Sequence, residues 1–300
     1  MKLIAIIFLA LVYLTSCKDS KSSDINTSIN HDTHTNTEKA INSNNKTQDN
    51  ESKRDSKIKE SQEDWYWKNT IMSKNNSFDN WQEGAVELVM LFKIKGNDMH
   101  PKTIKVGTIN ASGEVNINLP SELKTETKLD NLGNIVFFDI IDISNFNYDN
   151  GNTGYFSNTS LQVLKNGTVI GDLTMGNSVR TTYNLTNQSN LTQGDEGYLV
   201  YLVYVDEKAA MKGNETTTVK ARRDGTNTID AETTVVYNLN FKPGWNYVKT
   251  EVIGRYNLEH ERGLDVSWFK KHEHTTIPNK PLEAEYFFRK NSYDTIPLSV

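Results

Sequence analysis

The pattern of apolar and polar residues predicts an all-β protein. The expected architecture is an antiparallel β-sandwich, single or divided into two small ones near residues 190–195, behind a signal peptide and a disordered tether. Three observations predict it. The hydrophobic period is two through most of residues 63–300. Gly, Asn and Pro punctuate that pattern at turn spacing. No run of ten or more residues in this region carries a strong helical apolar stripe, which leaves a sandwich or a barrel.

Each element follows from its own residues. Around Trp65, Tyr66, Trp67 and Ile71 one short helix is expected. In GAVELVMLFKIK, Val86, Leu88, Met90, Phe92 and Ile94 form one apolar face, and Glu87, Val89, Leu91 and Lys93 a mixed one. KTIKVGTINASGEVNINLP reads as a hairpin, with Ile104 and Val106 running into the turn Asn110–Gly113 and Val115, Ile117 and Leu119 returning. NIVFFDIID, residues 134–142, is a strand. SLQVLKNGTVIGDLTM places Asn166-Gly167 between apolar runs, the strongest short-range hairpin signal. GYLVYLVYVDE, residues 197–207, is apolar on both faces and reads as a central strand between two layers. Val235–Phe241, a Pro243-Gly244 turn and Tyr247–Val252 follow, and LDVSWF and LEAEYFF supply the last strands.

The amino terminus sets the address. Lys2 precedes an apolar run from Leu3 to Leu14, too short for the roughly 20 residues that span a bilayer. A basic start, an apolar core and small residues describe a secretory signal peptide, residues 1–16. Leu14-Thr15-Ser16-Cys17 resembles the lipobox of bacterial lipoproteins, which implies that Cys17 becomes the lipidated first residue of the mature chain, carrying palmitate-type acyl groups. At about 0.8 kcal/mol per buried CH₂, two or more chains hold a protein on a membrane where one does not. Cys17 is the one cysteine, so disulfides cannot support the head. In the bacterial lipoproteins that this terminus resembles, an Asp directly after the cysteine retains the protein at the inner membrane; Lys18 stands there, so the resemblance implies the cell outer membrane. Lys18-Asp19 also resembles a fragment of the surface-export signal of Bacteroidetes lipoproteins, which favours the outer face over the periplasm.

Residues 17–62 form the lipidated end and its tether. From Lys18 to Gln62 the aliphatic residues are Ile25, Ile29, Ala40, Ile41 and Ile58, and there is no aromatic. Such a segment cannot bury enough apolar area to offset chain entropy. Its ends would lie roughly 35–40 Å apart as a coil, and about 150 Å apart when extended. The head, residues 63–300, holds every Trp, Tyr and Phe of the mature chain. Its GTINASGEVNINLP hairpin resembles the end of a transthyretin-like or carboxypeptidase-regulatory-like module. With LQVLKNGTVIGDL, GYLVYLVYVD and YNLNFKPGWNYV, it makes roughly residues 84–255 similar to bacterial cell-envelope lipoproteins. That resemblance implies a β-sandwich head and brings no catalytic residue with it.

Candidate chemistry is sparse. His272-Glu273-His274 puts two imidazoles on one face of a strand, so both His272 and His274 could reach one metal ion, with His260 and Glu259 or Glu261 as further ligands. Asp149, Asn150 and Asn152, in the loop from Asp149 to Gly154, place oxygen side chains at alternate positions as a structural calcium site would, without the distal Glu of an EF-hand. Trp65, Trp67, Trp81 and Trp268 are candidates for stacking on a glycan, and Trp245 for packing back on its own turn. Asp139, Asp142, Asp195, Glu196, Asp206 and Glu207 are carboxylates of the type that glycoside hydrolysis needs in pairs. No Gly-x-Ser-x-Gly elbow and no phosphate-binding glycine loop occurs. The net charge is −5, or −6 once Lys2 leaves with the signal peptide, which argues against a nucleic-acid partner. Asn-x-Ser/Thr sequons and Asp294-Thr295-Ile296, a short pattern resembling Bacteroidetes O-glycosylation sites, complete the motifs.

Two functions remain open. The first is an outer-membrane lipoprotein, bound to lipid through Cys17, whose non-enzymatic head binds a protein or a glycan without a cofactor. The second is an envelope hydrolase acting on polysaccharide or peptidoglycan through a carboxylate pair.

Overall fold

The computed structural model describes residues 70–92, 102–130, 142–187, 191–224, 227–259 and 265–291, all within a unit from Ser52 to Val300. Fifteen strands lie in one mixed sheet that does not close into a barrel. They are β1 (Thr70–Met72), β2 (Val86–Phe92), β3 (Lys102–Ile109), β4 (Val115–Ile117), β5 (Thr127–Lys128), β6 (Phe146–Asp149), β7 (Gly154–Asn158) and β8 (Leu161–Lys165). There follow β9 (Thr168–Gly176), the helix α1 (Val179–Thr186), β10 (Gly197–Val205), β11 (Ala209–Asp224), β12 (Asn227–Phe241), β13 (Gly244–Glu259), β14 (Asp265–Ile277) and β15 (Glu285–Lys290). The signal peptide, Cys17, the tether, Trp65, Trp67, all but Asp142 of the expected strand 134–142, His260 and Asp294 lie outside the described residues.

The local turn chemistry works as the residues dictate. Asn166 and Gly167 take φ of 52° and 76°, the pair of positive values that a two-residue hairpin turn of matching twist requires. The β3–β4 turn is held by Asn110, whose Oδ1 accepts from Ser112 N at 3.0 Å and Glu114 N at 2.9 Å. Gly113 sits there at φ 89°, pressed against the Phe78 carbonyl, where a Cβ would collide.

The main path of the sheet runs β4-β3-β2-β8-β9-β10-β13-β14-β12-β11-β6, with β15 and β1 added beside β9 and β7 and β5 beside β10. Strand β10 is the hub. It pairs with β13 along its whole length, with β9 at Leu199 and Val200, and with β7 from Leu202 to Val205. Its alternation feeds two cores. Tyr198, Val200, Leu202 and Tyr204 enter one with Leu88, Met90, Val163 and Leu173. Leu199, Tyr201, Val203 and Val205 enter the other with Val235, Leu239, Val248 and Phe269. A strand apolar on both faces is thus the shared wall of two layers of side chains, as expected of GYLVYLVYV.

Three local expectations are corrected. The Pro243-Gly244 turn does not close a paired hairpin: β14 lies between β12 and β13, antiparallel to β13 and parallel to β12. The turn is held instead by the Asn246 side chain, which accepts from Lys242 N at 3.0 Å and donates to the Lys242 and Gly244 carbonyls. Trp245 does not fold back on that turn. Its Nε1 donates to the Pro120 carbonyl at 2.8 Å, and its ring meets Tyr204 and Phe156 edge-on. Ile71, placed near an expected helix, is in strand β1, paired with Phe288.

Candidate functional site

The strongest site is a cleft that no linear motif announces. Antiparallel register places Gln162 of β8, Asp172 of β9, Arg289 of β15 and Thr70 of β1 directly opposite one another, in one row across four strands. The intervening residues Leu173, Tyr286 and Phe288 point into the first core, so this row occupies the other face of the sheet. Helix α1 covers that face. Val179, Thr182, Tyr183 and Thr186, at i, i+3, i+4 and i+7, turn one stripe of it toward the row. Between helix and sheet lies a solvent-open cleft of about 100 Å³, floored by Phe287 and Thr174.

The helix is fixed on its far side. Ser178 caps its start by accepting from Thr181 N, and Asp195 receives Arg180 Nε at 2.8 Å and Asn184 Nδ2 at 2.7 Å. Thr181 Oγ1 donates to the Asp195 carbonyl at 3.0 Å. These contacts matter because VRTTYNLT is a poor helix former by propensity, and a helix of eight residues is marginal on its own.

Burial pushes the Asp172 carboxyl up from its ordinary value, outweighing the hydrogen bond that Gln162 Nε2 donates and the positive charge of Arg289. The Arg289 guanidinium lies 4.4 Å from the Tyr183 ring centre, a cation–π contact that fixes it beside the cleft. Thr70 Oγ1 is buried and has no hydrogen-bond partner among the described residues. A half-buried carboxylate whose ionised form is disfavoured thus lies in the same row as a hydroxyl with no partner among the described residues.

The residues singled out in the sequence fall elsewhere. His272 and His274 are both in strand β14, as expected, but both are fully buried, at 0 % exposure. His272 stacks on Phe269, His274 stacks on Tyr237 and meets Thr250 Oγ1 at 2.8 Å, and the two rings lie 6.3 Å apart. Among the described residues no group of three or more His, Cys, Asp or Glu is placed to hold a metal ion. In the Asp149–Gly154 loop, Asn150 sits at φ 54° and donates to Glu207 Oε2 at 3.0 Å and the Lys208 carbonyl at 3.1 Å. Asp149 pairs with Ala210, and Asn152 is exposed. Trp81 packs on Phe78 and Phe288 in the first core, and Trp268 against the second, so these two do not form one platform.

The acidic candidates also serve locally. Asp142 caps the turn at Ser144, Asp206 accepts from Thr125 Oγ1 at 2.6 Å, and Glu196 accepts from Gly254 N at 2.8 Å. Asp139 lies outside the described residues. Among the described residues lining the cleft, Asp172 is the single carboxylate. Comparison with models of protein families, with curated proteins and with solved structures finds no match.

Proposed function

We propose that this chain is an outer-membrane lipoprotein, anchored through Cys17, whose all-β head is a non-catalytic binding module. The cleft between α1 and the Gln162–Asp172–Arg289–Thr70 row is its ligand site. The observation that carries this reading is the row itself. Four polar side chains are aligned across four strands, three of them lining an open cleft beneath a helix, with one carboxylate whose ionisation works against the fold. A single carboxylate supports recognition, because glycoside hydrolysis in its usual form needs two flanking the bond. The lining of hydroxyl, carboxylate and guanidinium groups suits a ligand rich in hydroxyls.

The test is a glycan array probed with the full chain, with Arg289→Ala beside it, and a screen of the same preparation for hydrolysis of glycans, peptides and esters. Array binding that Arg289→Ala abolishes, without turnover, is the expected result. Turnover of any of these substrates would replace the binding module with the hydrolase.

A further inference from the structure

The ligand's chemical class follows from the size and charge of the same cleft, so this inference rests on the reading of it as the binding site. The cleft of about 100 Å³ has room for roughly three waters at their liquid volume of about 30 Å³ each. Open to solvent, it takes the edge of one small ring and not an extended chain, whose remainder would stay in solvent. The charges facing it are one carboxylate, Asp172, and one guanidinium, Arg289. A charged ligand would meet one of them with the wrong sign, whereas a neutral ligand leaves their mutual balance intact.

The hydrogen-bonding groups narrow the class further. Asp172 offers a planar pair of acceptors, one of them taking a bond from Gln162. Thr70 Oγ1 has no hydrogen-bond partner among the described residues, Thr174 adds a hydroxyl that both donates and accepts, and Thr182, whose hydroxyl donates to the Val179 carbonyl at 2.9 Å, adds an acceptor. Phe287, itself 3 % exposed, supplies an apolar patch in the floor. Adjacent ring hydroxyls of a sugar can donate side by side to one carboxylate and accept from a guanidinium, while the ring's C–H face lies on the apolar patch. We infer that the cleft binds one neutral pyranose unit, at the end of a glycan, with a vicinal pair of hydroxyls on Asp172.

The direction in which Asp172 titrates supports the same geometry. Two donated hydroxyl bonds favour the ionised carboxylate that burial disfavours, so sugar and proton compete for it. Affinity should therefore weaken as the solution is acidified toward the carboxyl's raised value.

The experiment is calorimetric titration of the full chain, purified in detergent, with glucose, galactose, mannose and N-acetylglucosamine. Glucuronate and glucosamine serve as charged analogues of the same ring. At least one neutral sugar should bind saturably with a dissociation constant on the order of 1 mM, and the charged analogues at least about ten-fold more weakly. Asp172→Asn should weaken binding by about ten-fold or more, as loss of hydrogen bonds to a charged group does. Thr174→Val, an isosteric change that leaves strand β9 its branched residue, should weaken it measurably while the melting curve stays in place. Failure of every neutral sugar to bind, tighter binding of a charged analogue, or binding indifferent to both variants would each overturn the inference. In those cases a protein ligand lost on Arg289→Ala would leave the binding-module reading standing, whereas release of hydrolysed product would remove that reading as well.

Discussion

Strand β10 makes the two cores interdependent, and Leu199→Ala measures by how much. Leu199 is fully buried in the second core, and its neighbour Val200 points into the first. Truncation removes three carbon groups, about 2.4 kcal/mol of transfer free energy at about 0.8 kcal/mol each. The cavity left in the second core relaxes only partly and adds about 1 kcal/mol, for a total of about 3–4 kcal/mol. For a folded region of this size each kcal/mol moves the melting temperature by about 2–4 °C, so a fall of about 6–16 °C is expected. Leu202→Ala, aimed at the first core from the same strand and 3 % exposed, should lower the same transition by a similar amount. The assay is thermal unfolding followed by near-ultraviolet circular dichroism, which reports aromatic packing in both cores. Two resolved transitions, with each variant moving a different one, would refute a shared wall and favour two small sandwiches.

Other consequences are as direct. Asp172→Asn should stabilise the protein at neutral pH while it weakens ligand binding. The wild-type carboxyl is raised in the folded state, so its contribution is present below the ordinary value of 3.8 and is lost as pH rises through the folded value. Denaturant titrations at several pH values should show the variant's advantage growing with pH, and equal stability at neutral pH would contradict the buried-charge argument. The Glu83 carboxyl is held low, chiefly by its hydrogen bond from Lys290, with Lys165 adding to it. That stability is present above the ordinary value of 4.5 and is lost as pH falls through the folded value, so Glu83→Gln should be less stable than wild type at neutral pH and indistinguishable from it in strong acid. Gly171 packs against the Arg289 carbonyl, where a Cβ would overlap backbone atoms. Gly171→Ala should cost about 1–3 kcal/mol and unseat Arg289, so melting temperature and sugar binding should fall together.

What could be read from the sequence, and what could not, divides along the range of the interactions. The Asn166-Gly167 hairpin, the Asn110–Gly113 turn and the doubly apolar β10 depend on neighbours in the chain, and their residues declare them. The insertion of β14 between β12 and β13 is a choice among distant partners, and the Pro243-Gly244 turn looks the same either way. Helix α1 hides in VRTTYNLT because Val and Thr favour strands, and tertiary contacts to Asp195 override that preference. His272 and His274 carry a polar signature yet lie in the core, since aromatic neighbours and Thr250 receive them.

The cleft was legible only in part. Asp172 is the lone charge of its strand, TVIGDLTMG, which is a signal of sorts, whereas Arg289 stands beside Lys290 at the end of EYFFRK, where a charge is unremarkable. The row depends on the registers of four strands, of which only β8 and β9 are neighbours in the chain, and no spacing in a linear sequence encodes it.

An anchored head is the premise of every partner considered above, and one measurement addresses it. Cells expressing the full chain, or Cys17→Ser, would be fed an alkyne-tagged palmitate, and the tag followed through separated inner and outer membranes. The wild-type chain should carry the tag and sediment with the outer membrane, and Cys17→Ser should lose both properties. An untagged wild-type chain, or tagging that survives Cys17→Ser, would contradict the anchor.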